Sequence, residues 1–119
     1  MSSYLPDPAL TAEVSPESVS AWLDLPESDR PRLIDCREAE ELAICQLPGN
    51  EWFPLGEFPQ RLDALTDQPQ RGVVVYCHHG MRSLRAALFL RSKGFENAFS
   101  MHGGIDLWSH SVDSSVPTY

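Results

Sequence analysis

The chain has 119 residues, within the span of one compact domain, and at this length it buries enough surface to fold without a disulfide or metal staple. Apolar residues make up 42% and charged residues 22%, a globular composition that excludes disorder. The net charge of -8, from nine basic and seventeen acidic side chains, excludes the broad basic patches that nucleic-acid phosphates and anionic membrane surfaces require.

In chain order, the N-terminal MSSYLPDPALTAE has no basic stretch and no apolar core, so it does not read as a signal peptide. The longest apolar runs fall far short of a membrane span. The three cysteines, Cys36, Cys45 and Cys77, are odd in number and have no CxxC spacing, which fits a reducing compartment. The expectation is a cytoplasmic protein with no nucleic-acid or membrane partner. Residues 1–12 read as an arm and residues 13–119 as a single domain.

At SPES, Ser15 is a helix N-cap, Pro16 takes the first helical position and Glu17 sits at the positive dipole end. VSAWLDL then supplies an apolar stripe. LPESDRP is turn chemistry. Leu33-Ile34 before Asp35 reads as a short buried strand, and EAEELAI as a short helix. LPGN is a turn, with a brief strand around Trp52-Phe53. Leu55, Phe58, Leu62 and Leu65 have helical spacing, and Pro59 predicts a helix start near that position. The strand VVVYC follows TDQPQRG. SLRAALFLRSK, from Ser83 to Lys93, is helical, with Gly94 as its stop. Residues 98–101 give a last central strand, and two glycines open a final helix over 103–112. Trp108, Cys36 and Cys45 read as core filling. Strands alternate with helices, and the most apolar strand lacks polar alternation. Both features predict an α/β domain with a mostly parallel sheet covered on both faces.

Sites in such sheets lie beyond the carboxyl ends of the strands. Two strand ends carry polar chemistry: Asp35-Cys36-Arg37, and Cys77 through Arg82. In VVVYCHHGMRS a cysteine ends a strand and a helix opens at Ser83. The intervening loop can turn its backbone N–H groups inward as a nest, which favours a thiolate and an anionic ligand. Gly80 relieves the tight curl. Arg82 adds a fixed charge and a planar donor fork. An activated thiolate beside an anion site is a nucleophile for an anionic substrate. His78 and His79 beside Cys77 suggest metal ligands. Adjacent ligands seldom close a tetrahedral site, however, and no second cluster completes one. No metal and no cofactor is expected.

CHHGMRS resembles the active-site loop of rhodanese-like sulfurtransferases, Cys-x-x-Gly-x-Arg-Ser. LIDCREAEEL is similar to that family's Leu-Ile-Asp-Val-Arg-x-x-x-Glu segment, LPGN to its Ile-Pro-Gly-Ala turn, and HGGIDLW to its Gly-Gly-x-x-x-Trp segment. The resemblance runs over residues 13–117 in the family's order. It implies the rhodanese-like fold, a five-stranded parallel sheet flanked by helices on both faces. It implies Cys77 as the nucleophile that accepts a sulfane sulfur as a persulfide, with His78, His79, Gly80, Met81 and Arg82 as the substrate-binding cradle. Asp35 and Arg37 match a bracing pair, and Ser83 supports the loop. The implied partners are a small anionic sulfur donor, such as thiosulfate, and a thiol or protein acceptor. The sequence departs from the pattern at Cys36, where valine is common, at Cys45-Gln46, where Gly-His is common, and at Asn50, where alanine is common. These departures leave open whether Cys36 or Cys45 joins the chemistry.

Two other readings stand beside sulfur transfer. A phosphatase or arsenate reductase also uses a cysteine loop closed by arginine, but with the wider Cys-x5-Arg ring; here the spacing is Cys-x4-Arg. A non-catalytic binding module is the third reading, set against a loop that keeps cysteine, glycine and arginine. Asp35 with Glu38 also fits a helix cap, so Asp35 reads as cap or brace.

Overall fold

Five short strands and five helices follow one another in a computed structural model that describes residues 4–119. Strand β2 (Arg32–Asp35), β4 (Val73–Tyr76) and β5 (Ala98–Met101) are buried along their whole length. Strands β1 (Glu13–Val14) and β3 (Glu51–Trp52) close the two edges. The order is β1-β5-β4-β2-β3, and every pairing is parallel. The mostly parallel sheet read from the sequence and the five strands implied by the resemblance are therefore present.

The helices are α1 (Pro16–Leu23), α2 (Ala39–Ile44), α3 (Leu62–Leu65), α4 (Met81–Ser92) and α5 (Gly104–Ser111). The Ser15 hydroxyl caps α1 by accepting the Ser18 N–H at 3.1 Å. Alternation along β4 builds two cores. Val73, Val75 and Cys77 point to one face, against Phe58, Leu65 and the α4 residues Ala86, Ala87 and Leu90. Val74 and Tyr76 point to the other, against Val19 of α1 and Ile105 and Trp108 of α5. Each buried valine or leucine contributes roughly 1.5–3 kcal/mol relative to exposure, so the VVVY strand is a large part of what holds the two layers together.

Three local expectations need correction. The stretch from Leu55 to Leu65 is not one helix starting at Pro59. It is a 3-10 turn over Leu55–Glu57 and a single helical turn, α3, beginning at Leu62. Pro59 has no N–H to continue the first segment. Helix α4 begins at Met81, two residues before Ser83, because Gly80 at φ 104° makes the sharp entry and acts as N-cap. The edge strand β1 went unrecognised: two residues carry no readable period, and only the ladder with Ser100 and Met101 defines it.

The winding reverses between β2 and β4. From β2 the chain moves outward to β3, and from β4 it moves the other way to β5. A crevice beyond the carboxyl ends at such a reversal is where α/β sheets hold ligands. The ladder pairs Asp35 with Tyr76 at its last rung, so Cys36 and Cys77 emerge side by side at that point.

Candidate active site

Cys77 leaves the end of β4 and is almost completely buried. The loop that follows curls back so that the Gly80 N–H lies 3.1 Å and the Ser83 N–H 3.4 Å from Cys77 Sγ. The Ser83 hydroxyl lies 3.4 Å from the same sulfur. It is also joined at 2.7 Å to the hydroxyl of Ser100 on β5, and both serines are fully buried. The Ser83 hydroxyl also reaches the Gly80 carbonyl at 3.2 Å. Once Cys77 is a thiolate, Ser83 can turn its proton to the sulfur while accepting from Ser100, which relays hydrogen bonding to the charge. The Cys36 thiol lies beside Cys77, at the next position of the β2–β4 register and in the same core.

These donors hold the Cys77 thiol well below its ordinary range. The adjacent Cys36 thiol contributes most, followed by the Ser83 side chain and the Ser83 and Gly80 N–H groups, against the opposing cost of burial. Cys36 moves the other way, upward, because of the adjacent Cys77 sulfur and because it is buried. Cys36 lacks the N–H and hydroxyl donors that surround Cys77. The negative charge of the pair therefore resides on Cys77, at the positive end of the twelve-residue helix α4.

The loop is clamped from behind by α5. The Ile105 N–H donates to the Cys77 carbonyl at 2.9 Å and the Asp106 N–H to the His78 carbonyl at 3.1 Å. Gly104, at φ 64°, permits this approach, since any Cβ there would enter the shells of those two carbonyl groups. The second glycine of HGGIDLW thus serves the loop as much as the helix.

Asp35 and Arg37 form a fully buried ion pair. Arg37 Nη2 and Nε reach Asp35 Oδ2 and Oδ1 at 2.8 and 3.0 Å, and the Arg37 N–H donates to Oδ1 at 3.0 Å. Helix α2 is entered through Glu38, whose N–H donates to Glu41 Oε1 at 3.1 Å. Asp35 is therefore not the cap of α2; its carboxylate is taken up by Arg37. The remaining Arg37 donors reach the Cys45 carbonyl at 2.7 Å and the Tyr119 hydroxyl at 2.8 Å. Asn50 bridges Asp35 and the Tyr76 hydroxyl, at 3.4 and 2.8 Å.

Arg82 stands in the first turn of α4 and makes a bidentate pair with Glu41 of α2, at 2.6 and 2.9 Å. The Tyr119 hydroxyl donates to Glu41 Oε2 at 2.7 Å. Arg82 and then Tyr119 hold the Glu41 carboxyl down at about 2. His78 stacks on Tyr119 and lies tilted against His79, with ring centroids 3.8 Å apart in both cases. His79 is exposed at the rim, with Nε2 3.9 Å from Asp106 Oδ2. Met81 is also exposed, beside the loop. Asp106 brings a third donor to the histidine pair, and the three candidate ligand atoms lie within 4.8 Å of one another.

The site thus unites Cys77, His78, His79, Gly80, Met81, Arg82 and Ser83 in one loop and helix start. Asp35 and Arg37 sit behind it through α2 and Tyr119. Sequence reasoning missed the partner of Arg82. The quoted Arg-x-x-x-Glu pattern ends on Glu41, so a signal existed, but nothing in the spacing pairs it with Arg82. Ser100 and Tyr119 carried no signal at all. A concavity of about 700 Å³ lies near the opposite ends of the strands, lined in part by Arg30, Arg32, Glu51 and Arg71, and shares no residue with the loop.

The cysteine loop, its glycine entry and the sheet order all agree with one family, and the model of the Rhodanese-like domain matches residues 15–111. The chain belongs to the rhodanese family. It is 40% identical over 93 residues to the rhodanese-like/PpiC domain-containing protein 12, chloroplastic, of Arabidopsis thaliana, covering 76% of this chain and 31% of that protein. It is 33% identical over 104 residues to the thiosulfate sulfurtransferase GlpE of Actinobacillus succinogenes, covering 83% of this chain and 85% of that one. The solved human single-domain sulfurtransferase is similar at 27% identity and a TM-score of 0.69, covering 85% of this chain and 97% of that chain. The rhodanese domain here spans about a third of the chloroplastic relative and a quarter or less of the adenylyltransferase and sulfurtransferase proteins it also matches. Among the described residues no helix is long and apolar enough to cross a membrane.

Proposed function

We propose that this rhodanese domain is a sulfurtransferase that carries a sulfane sulfur on Cys77. The observation that carries the reading is the sulfur itself: a buried Sγ at a strand end that receives the Gly80 and Ser83 N–H groups at 3.1 and 3.4 Å. The similarity to a thiosulfate sulfurtransferase over most of both chains supports it.

The reaction is ping-pong. The Cys77 thiolate attacks the outer sulfur of an anionic donor such as thiosulfate. The donor S–S bond breaks, and sulfite leaves with the bonding electrons. The new terminal sulfur carries the charge beyond Cys77, toward the loop mouth. An acceptor thiolate, free or on a protein, then attacks that outer sulfur, and the Cys77 thiolate leaves. His78, His79 and Met81 line the entry. Arg82 provides positive charge at the mouth, moderated by Glu41. Asp35 and Arg37 act through α2 and Tyr119 as positioning residues. No resident cofactor takes part in these steps, and the surroundings are those of a cytoplasmic protein.

Intact mass tests the reading. Thiosulfate should add about one sulfur, ~32 Da, to the wild-type chain, and a reducing thiol should remove it. Cys77→Ser should show no adduct and form no thiocyanate from thiosulfate and cyanide. A chain that takes up no sulfur from thiosulfate or a persulfide donor, yet hydrolyses an aryl phosphate, would return the site to the phosphatase reading. Neither signal would return it to the binding-module reading.

A further inference from the structure

The sheet register sets a second thiol against the nucleophile. Cys36 follows Asp35 and Cys77 follows Tyr76, the last paired rung of the β2–β4 ladder. The Cys36 N–H donates to the Tyr76 carbonyl at 3.1 Å, which holds the two strand ends together. Both side chains fall on the same face, in the core that contains Ile34, Val75 and Phe53. The continued register places Cys36 directly opposite Cys77, with both side chains buried in that one core. Neighbouring strands run about 4.8 Å apart, within the ~4.4–6.8 Å Cα separation that a disulfide spans. Cys45 has no such access: its Sγ donates to the Pro117 carbonyl at 3.3 Å, and it packs against the opposite core.

We propose that Cys36 is a resolving thiol that, when no acceptor arrives, discharges the Cys77 persulfide as sulfide and closes a Cys36–Cys77 disulfide. The proposal rests on the sulfurtransferase reading and extends it to a thiol-dependent reductase activity. The Cys36 Sγ attacks Cys77 Sγ, the inner sulfur of the persulfide. The bond from Cys77 Sγ to the outer sulfur breaks, and its electron pair leaves with the outer sulfur. The Cys36 proton passes to that sulfur, so HS⁻ departs. Two cysteine sulfurs are oxidised to the disulfide level while the sulfane sulfur is reduced to sulfide, and no external oxidant enters. Two equivalents of an external thiol then reduce the disulfide and restore the pair. With thiosulfate as donor, the cycle converts thiosulfate and two thiols into sulfite, hydrogen sulfide and one disulfide.

The geometry also orders the steps. In the resting enzyme the neighbouring Cys77 thiolate and burial both hold the Cys36 thiol protonated, so Cys36 is not a competing nucleophile. Loading a sulfur moves the charge to the terminal atom, away from Cys36, and weakens that hold. Cys36 is fully buried, so its reach is limited to the sulfur beside it.

The test loads the full chain with thiosulfate, removes the excess, and follows intact mass and free sulfide without any acceptor. In wild type the ~32 Da adduct should decay to a species about 2 Da lighter than the reduced chain, with one sulfide released per chain and peptides joined through Cys36 and Cys77. Cys36→Ser keeps a donor toward Cys77 but lacks the resolving sulfur, so its adduct should persist without sulfide release. Cys36→Val is the second variant, should the serine fail to fold, with the same expected result. Cys45→Ala should release sulfide as wild type does. A wild-type adduct as long-lived as that of Cys36→Ser, or a disulfide that includes Cys45, would overturn the proposal while leaving sulfur transfer standing. No adduct in any variant would overturn both. Independently, the thiol oxidant diamide should close the same disulfide in sulfur-free wild type; a chain that stays fully reduced would overturn the proposed pairing.

Discussion

Replacing Ser83 with alanine isolates one donor to the Cys77 sulfur. Its hydroxyl lies 3.4 Å from Cys77 Sγ and is backed by Ser100 at 2.7 Å, with both serines fully buried. The Ser83 and Gly80 N–H groups and the Cys36 thiol remain in Ser83→Ala. A hydrogen bond to a charged group is worth about 1.5–3 kcal/mol, and a diffuse sulfur acceptor belongs at the low end. At about 1.4 kcal/mol per pKa unit, the Cys77 pKa should rise by about one unit. The sign follows from the donor stabilising only the charged form. The wild-type pKa lies far below the ordinary thiol range, so a one-unit rise still leaves mostly thiolate at neutral pH. Turnover near pH 7 should change little, and the effect should appear on the acid limb. The assay is the pH dependence of iodoacetamide alkylation at Cys77, read by peptide mass so that Cys45 does not contribute. A shift below about 0.3 units, or any downward shift, would refute the relay from Ser100 through Ser83 to the sulfur.

Arg82→Ala should lower kcat/KM for thiosulfate about ten- to a hundredfold, since it removes the cation at the mouth and leaves the Glu41 carboxylate there unpaired. Adding Glu41→Gln should recover part of that loss; an unchanged value in the single variant would reject the role. Asp35→Asn strands the guanidinium of fully buried Arg37 and should cost about 3–5 kcal/mol in urea unfolding, so a loss under about 1 kcal/mol would mean that the pair is not structural. Glu41 has a folded pKa of about 2 against an ordinary 4.5, so its stabilisation is complete above the ordinary value and is lost as pH falls toward 2. Unfolding midpoints of Glu41→Gln should be flatter than wild type across that window, and parallel curves would exclude the contribution.

The sequence by itself determined the layered architecture. A strand such as VVVY, buried on both faces, needs no tertiary knowledge to be recognised, because its apolar run admits no solvent-facing side. The Ser15-Pro16 helix start, the Gly94 stop and the Cys77 loop were equally legible, since caps, turns and nests act over a few residues. Local rules failed where the competition was local but subtle. Pro59 broke the Leu55–Leu65 pattern into two short turns, and the positive φ of Gly80 drew the start of α4 back to Met81.

Only the tertiary structure decided what surrounds the sulfur. Asp35, read as cap or brace, does not cap α2, because Arg37 folds back onto its carboxylate inside the protein and Glu38 enters the helix. Arg82 is a partnered cation because α2 brings Glu41 across to it, forty-one positions away in sequence. Ser100 reaches the site from β5, and Tyr119 reaches it by stacking on His78. Cys36 appeared to be core filling, a valine replaced by another small apolar group. The register of two parallel strands, joined through an entire crossover, makes it the neighbour of Cys77. Sequence periodicity reports which face of one strand is buried; it carries no information about which residue of another strand lies opposite, and here that pairing places a second thiol beside Cys77.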